Sequence, residues 1–383
     1  MPSARVRTIS ALGVIEIFAW GSSFYLPAVL AAPIAADTGW SDQAVTGGVS
    51  VGLLAAGLVA TRVGRLIRTF GGRPVLAGAM GLIALGQVLL AAAPDLRVYY
   101  LAWLVIGAGM GGGLYDAAFA TLGRIYGREA RRAITTLTLW GGFASTVCWP
   151  ISAMLVEWIG WRGTCLSYAA LHLGLTLPLC LFALPRQDRE PPPVRAAGGS
   201  DGVTDQRFWM LTIAATVLAT LAAIWSMHLM TVLQSVGFSL AAAVSLGALI
   251  GPAQVGARLI EMASGGRHHP VWTALISTGL VAAGFAGLLA GIPAAVALIA
   301  YGAGNGLWSI ARGALPMAFF GPEDYPVIMG RIARPALIAS ASAPLLGTWL
   351  IEAAGPVGTL WVLAVTALLP AGISAWFVMR FRV

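Results

Sequence analysis

Long apolar runs separated by short arginine-bearing loops constrain this chain more than any other feature. The runs fall at roughly 9–35, 43–62, 74–93, 97–123, 133–156, 163–184, 208–232, 239–261, 271–290, 293–318, 332–353 and 356–379. Each is near the ~20 residues that a helix needs to cross the hydrocarbon of a bilayer. Twelve such runs predict an all-α membrane protein, because helices satisfy every backbone polar group internally. Composition excludes the alternatives. Of 383 residues, 58% are apolar and 10% charged, against about 25% charged in a soluble domain. Disorder demands the opposite balance, with little apolar surface and much charge.

The net charge of +8 does not indicate a nucleic-acid partner, because the basic residues sit in loops between apolar runs. All 23 basic residues are arginine, which excludes any chemistry that needs lysine. Only Arg97 and Arg162 fall in odd-to-even loops; the others share one side. The positive-inside rule makes that side cytoplasmic and places both termini there, as an even number of spans requires. The first run is interrupted by Glu16 and lacks a small-residue cleavage signature, so it reads as a span and not a signal peptide. Cys148, Cys165 and Cys180 have no metal or redox spacing and read as small core residues.

The segment 185–207 is polar, rich in Pro and Gly, and balanced in charge, the pattern of a flexible linker. It divides the chain into expected six-helix bundles at 1–184 and 208–383. The halves repeat at an offset of about 192–195 residues. Gly107–Gly111 (GAGMG) matches Gly302–Gly306 (GAGNG), Val63–Arg73 matches Val255–Arg267, and Pro150 with Glu157 matches Pro344 with Glu352. A parallel repeat of six helices predicts a substrate site on the pseudo-two-fold axis, the arrangement of alternating-access carriers.

The stretch Gly64-Arg-Leu-Ile-Arg-Thr-Phe-Gly-Gly-Arg-Pro-Val-Leu76 resembles the span 2–3 loop signature of the major facilitator superfamily, G-x-L-x-D-R-x-G-R-R. Gly64, Leu66, Gly71 and Arg73 match; Arg68 stands at the usual acid and Thr69 at the next arginine. The departure removes the acid through which that loop is expected to form its salt bridge. Gly160-Trp161-Arg162 is similar to another superfamily feature. Trp20-Gly21, Gly39-Trp40-Ser41 and Ile310–Pro316 resemble bacterial porters of the monocarboxylate/oxalate type. The resemblance covers the whole chain. It implies a monomeric carrier of the bacterial cytoplasmic membrane, with spans 1, 4, 7 and 10 lining the cavity.

Ionisable groups inside spans are costly and usually face a cavity. Glu16 in span 1 and Asp116 in span 4 are the candidate proton-coupling acids, each with a structural ion pair as its alternative role. His228 in span 7 is a candidate for gating or proton transfer, or for a hydrogen bond to a neighbouring helix. Arg312 in span 10 cannot neutralise by losing its proton, and its guanidinium fork matches a carboxylate. It is read as the substrate anchor or as the partner of Asp116 or Glu16. Asn305, whose buried amide needs partners, together with Tyr25, Trp140 and Trp308, completes the substrate-binding set. Gly64, Arg73, Arg258 and Glu261 form the conformational set, Arg258 and Glu261 being three residues apart on one face. His172 reads as structural.

These residues predict a secondary transporter of a small organic anion, coupled to protons and needing no cofactor. The alternative is an exporter of neutral or cationic amphiphiles with Arg312 as a structural partner. An intramembrane enzyme finds no support in HExxH, acidic-cluster or Gly-x-Ser-x-Gly patterns. No phosphate-binding loop is present to couple ATP, and no soluble domain suggests a receptor.

Overall fold

The computed structural model describes residues 4–187, 205–265 and 267–381, which are helical with no strand among them. Most of the expected linker, 188–204, lies outside the described residues. Seven stretches are long and apolar enough to cross a membrane. Two of them, Leu96–Ala183 and Ala294–Arg380, run to 88 and 87 residues, several times the length of one crossing.

The chain forms two compact units, residues 1–199 with 320–341, and residues 200–319 with 342–383. The first contains α1 (Ala4–Gly21), α2 (Pro27–Thr38), α3 (Asp42–Phe70), α4 (Gly72–Ala91), α5 (Leu96–Gly113) and α6 (Tyr115–Tyr126). It continues through α7 (Ala130–Gly142), α8 (Ala144–Leu171), a π-helical turn at His172–Thr176 and α9 (Leu177–Ala183). The second contains α10 (Gln206–Ser235), α11 (Leu240–Gly247), α12 (Ile250–Ala263) and α13 (Pro270–Leu289). The last helix, α14 (Ala294–Phe381), contributes to both units.

The predicted first span is not continuous. It breaks at residues 22–26, between α1 and α2. Pro27 opens α2, and a proline there has no N–H to donate and crowds the carbonyl four residues back. The fourth predicted run also breaks, at Leu114, whose extended backbone (φ −95°, ψ −174°) follows three glycines. Capping side chains start several helices. Asp95 accepts from the Arg97 and Val98 amides at 2.9 and 3.0 Å, and Ser41 and Ser239 each accept from an amide three residues on at 3.2 Å.

Left-handed glycines punctuate the two longest stretches. Gly127 (φ 54°) and Gly160 (φ 72°) interrupt the first, and Gly321 (φ 74°) and Gly355 (φ 72°) the second. Only glycine adopts this conformation without a Cβ penalty, so these are fixed corners. The spacings from Gly127 to Gly321 and from Gly160 to Gly355 match the sequence repeat.

The GAG motifs have the same packing in both units. A methyl group at Gly107 would collide with the Gly52 carbonyl of α3, and one at Gly111 would lie 2.8 Å from the Ala56 oxygen. At Gly109 it would lie 2.9 Å from the Ala79 oxygen of α4. Gly302 and Gly306 face Ile250 and Gln254 of α12 at 2.8 and 2.5 Å, while Gly304 faces Ser277 of α13 at 2.6 Å. Alternating glycines thus let one helix touch the backbones of two neighbours, the use of small residues expected where lipid supplies no hydrophobic drive.

Candidate substrate and coupling site

In the first unit, the half-buried positions of α1 are Arg5, Ser10, Val14, Phe18 and Trp20, of which Ser10, Val14 and Phe18 make one stripe at four-residue spacing. Glu16 lies on the opposite face and is fully buried. Its Oε2 accepts a 2.9 Å hydrogen bond from the Trp20 indole, one turn further along. A carboxyl group in this setting is surrounded by bundle interior and not by the open stripe.

Asp116 stands in the first turn of α6, where the helix dipole favours an acid. Among the described residues from 109 to 123, it alone is not buried. The break at Leu114 sets its direction. Tyr115 beside it turns inward, stacks on Phe119 with centroids 5.1 Å apart, and donates to the Thr138 carbonyl at 3.2 Å.

Aromatic rings extend from this point. Trp20 lies 5.2 Å from the Tyr115 ring and 5.9 Å from that of Tyr25. Tyr25 sits in the turn between α1 and α2, edge-on to Trp149 at 6.2 Å. Beside Trp149 a groove of about 450 Å³ runs between α2 and α8, with Ser145 and Thr146 in its wall. Trp140 of α7 is half-buried and lies against Gly13, where any Cβ would meet the indole.

The break in the first span is braced by a polar chain. Gln87 of α4 donates its amide to the Ser22 carbonyl. The Ser22 hydroxyl meets His172 Nε2 at 2.7 Å, and His172 Nδ1 meets Thr176 Oγ1 at 2.8 Å. Thr176 spends its proton on the His172 carbonyl at 3.2 Å. Nδ1 therefore carries the imidazole proton and Ser22 donates to Nε2. All four side chains are fully buried.

In the second unit, the predicted residues of span 10 fall on one face. Asn305, Ser309 and Arg312 are half-buried, whereas almost every other residue from 304 to 317 is buried. Their spacing of four and three residues makes one stripe, with Trp308, 7% exposed, beside it. Asn305 makes no hydrogen bond among the described residues, and Ser309 donates to the Gly306 carbonyl at 2.7 Å. An amide, a hydroxyl and a guanidinium thus line up along a helix that is otherwise closed.

The Nε2 of His228 on α10 is buried and has no hydrogen-bond partner among the described residues, and Thr348 donates to the Pro344 carbonyl at 3.0 Å. The imidazole rests on Gly347, where a Cβ would collide with it.

The conformational set separates into distinct environments. Arg258 Nε donates to the Gly306 carbonyl at 3.3 Å. Glu261 accepts from Thr273 at 2.9 Å and lies 3.3 Å from His268 Nε2. Gly64 belongs to a seam in the first unit between α3 and the 320–341 segment. There Thr61 donates to the Gly330 carbonyl at 3.4 Å, Gly57 and Gly330 are each held against opposing backbone, and a Cβ on Gly64 would strike the Pro326 carbonyl. Arg73 has no hydrogen bond or ion pair among the described residues. The cysteines are buried and free.

Arg68 closes the same seam, with Nη1 3.3 Å from Asp324 Oδ1. This pair, the Gln87–Ser22–His172 chain and Ser309 were not picked out from sequence as site residues. Arg68 was visible as a departure from the loop signature. The partners of Ser22 gave no sequence signal.

A helical bundle with a repeated GAG packing unit and charged groups on half-open helix stripes defines a membrane carrier fold. The chain belongs to the Major Facilitator Superfamily, whose family model matches residues 12–267. It is accordingly a member of a transporter family and not an enzyme family. The Pseudomonas aeruginosa "Transcription regulatory protein OpdE" is 25% identical, over 94% of this chain and 92% of that protein. Human "Monocarboxylate transporter 11" is 34% identical over 43% of this chain and 34% of its own length. The solved human organic anion transporter MFSD10 superposes with a TM-score of 0.79 at 16% identity, covering 98% of this chain and 100% of that one. The E. coli fucose:proton symporter gives 0.73 at 14% identity, covering 99% of each.

Proposed function

We propose that this protein is a secondary active transporter of a small, monocarboxylate-like organic anion, working by alternating access with proton coupling. The observation that carries the reading is the Asn305–Ser309–Arg312 stripe, with a permanent cation on the half-open face of a closed helix. A guanidinium fork presents two parallel donors to a carboxylate. The substrate exchanges with the resting interaction of Arg312, while Asn305 supplies both donor and acceptor. Trp308, beside the stripe, provides an apolar wall. Asp116 and Glu16 are the proton acceptors, and His228 is a gating element.

The partial match to a monocarboxylate transporter supports the substrate class. In the same reading, the left-handed corners within the long helical stretches support twelve spans, six in 1–184 and six in 208–383. The arginine distribution supports cytoplasmic termini in a bacterial inner membrane. The functional unit is a monomer.

A second reading has one observation behind it. The relative that covers nearly the whole chain is named as a transcription regulatory protein, which points to a membrane sensor that binds the same class of anion without moving it.

Uptake of labelled small carboxylates into proteoliposomes, with and without an inward proton gradient, separates these readings. Gradient-stimulated uptake that is lost in Arg312→Ala is the expected result. Binding without flux favours the sensor. Flux of neutral or cationic amphiphiles, undisturbed by Arg312→Ala, establishes the exporter instead.

A further inference from the structure

The outer surface of the first unit carries a groove that the transport reading does not use. It has a volume of about 310 Å³ and runs along α9 and the preceding π-helical turn, with Gly174, Pro178, Leu179 and Phe182 in its wall and Arg7 of α1 at its rim. The wall is open to the outside of the helices, with Phe182 81% exposed. The π-helical turn widens the helix here. It points His172 inward to Ser22 and leaves Gly174 outward, where an added Cβ meets nothing within 4 Å.

The two arginines that open α1 differ. Arg5 is held by Glu129 at 3.2 Å and lies over the Tyr126 ring at 5.0 Å. Arg7 is exposed and has no hydrogen bond or ion pair among the described residues. Arg186, three residues past the end of α9, is likewise exposed and unpaired among them. An unpartnered cation thus sits where an apolar groove reaches the helix ends, the depth of lipid phosphates.

We propose that this groove binds an anionic glycerophospholipid, its phosphate on the Arg7 guanidinium and one acyl chain along Gly174–Phe182. The stretch is nine residues, about 12 Å of helix. Guanidinium binds phosphate through paired hydrogen bonds, and basic pockets beside spanning helices select anionic headgroups. The proposal depends on membrane insertion and not on what is transported.

Native mass spectrometry of the full chain, titrated with dioleoyl phosphatidylglycerol or dioleoyl phosphatidylcholine, tests it. The anionic lipid is expected to bind about five-fold tighter. Arg7→Gln brings the two lipids to parity, and Arg5→Gln keeps the preference. Gly174→Leu fills the groove and weakens both lipids. Glycerol 3-phosphate at the same concentrations does not compete. Equal binding of the two lipids by the wild type overturns the proposal, as does a preference that survives Arg7→Gln, binding unchanged in Gly174→Leu, or full competition by glycerol 3-phosphate. Because Arg7 is exposed, its substitution leaves the fold intact and decides the matter even where Gly174→Leu expresses poorly.

Discussion

Arg68 of α3 and Asp324, three residues past the left-handed Gly321, form an ion pair of 3.3 Å at the end of a small-residue seam. The position at which the superfamily signature carries an acid here carries the cation, and the acid stands on the facing segment. The Arg68 side chain is 19% exposed and that of Asp324 45%, so the pair contributes about 0.2–1 kcal/mol. Arg68→Asp and Asp324→Arg each place like charges together and are expected to lower the melting temperature and change the transport rate two- to five-fold. The double exchange restores both. A double variant no better than the worse single one denies that the two residues act as a pair.

Backbone contact at the GAG motifs makes a sharper prediction. Gly302→Val and Gly107→Val put side-chain atoms into the carbonyls of Ile250 and Gly52. Overpacking of this kind costs about 1–3 kcal/mol or more, and both variants are expected to lose most folded protein in detergent. Gly78→Val serves as the control, because nothing lies within 4 Å of an added Cβ there. Fluorescence-detected size exclusion of the three variants is sufficient, and equal profiles count against the packing account.

Hydrophobic runs made the helical class legible, and the arginine pattern carried an expectation of orientation. The repeat was legible because glycines at 107, 109 and 111 and at 302, 304 and 306 meet backbone in both units. The break at 22–26 was not anticipated. Hydropathy does not register a bend within an apolar run, although Pro27 was its local sign. On span 10, a periodicity of 3.6 places Asn305 and Arg312 on one helix face, and both are half-buried there. Glu16 was harder, since its depth follows from counting residues but its direction depends on the neighbouring helices. Pairs such as Ser22 with His172 lie 150 residues apart, beyond any local pattern.

The chain Gln87–Ser22–His172–Thr176 holds the first-span break in place. His172→Leu strips the Ser22 hydroxyl of its acceptor inside the bundle, and a buried polar group left unsatisfied costs about 1–3 kcal/mol. The expected result is a lower melting temperature with a smaller change in substrate KM. His172→Gln, which keeps an acceptor at similar reach, recovers part of the loss. Variants as stable as the wild type rule out the brace.

Asp37, at the end of α2, accepts hydrogen bonds from the Trp161 indole at 3.0 Å and from Arg162. These donors favour the carboxylate and hold its pKa below the ordinary 3.8. A depressed folded pKa means that the link contributes stability above the unfolded value and loses it as pH falls through the folded one. The melting-temperature difference between wild type and Asp37→Asn is therefore constant from neutral pH down to about 4 and shrinks below that. A difference that grows on acidification reverses the sign and refutes this account.

Asn305 makes the cleanest separation of function from stability. Its amide has no hydrogen bond within the described protein, so Asn305→Ala removes no internal partner and leaves the stability within about 0.5 kcal/mol of wild type. If the amide contacts the transported anion, KM rises by about ten-fold or more, the worth of one hydrogen bond to a charged group. Arg312→Lys keeps the charge but loses the planar fork, and a rise in KM of similar size is expected. Initial-rate uptake by both variants distinguishes the roles. A loss of stability in Asn305→Ala without change in KM makes the amide a structural group, and a normal KM in Arg312→Lys moves the carboxylate elsewhere.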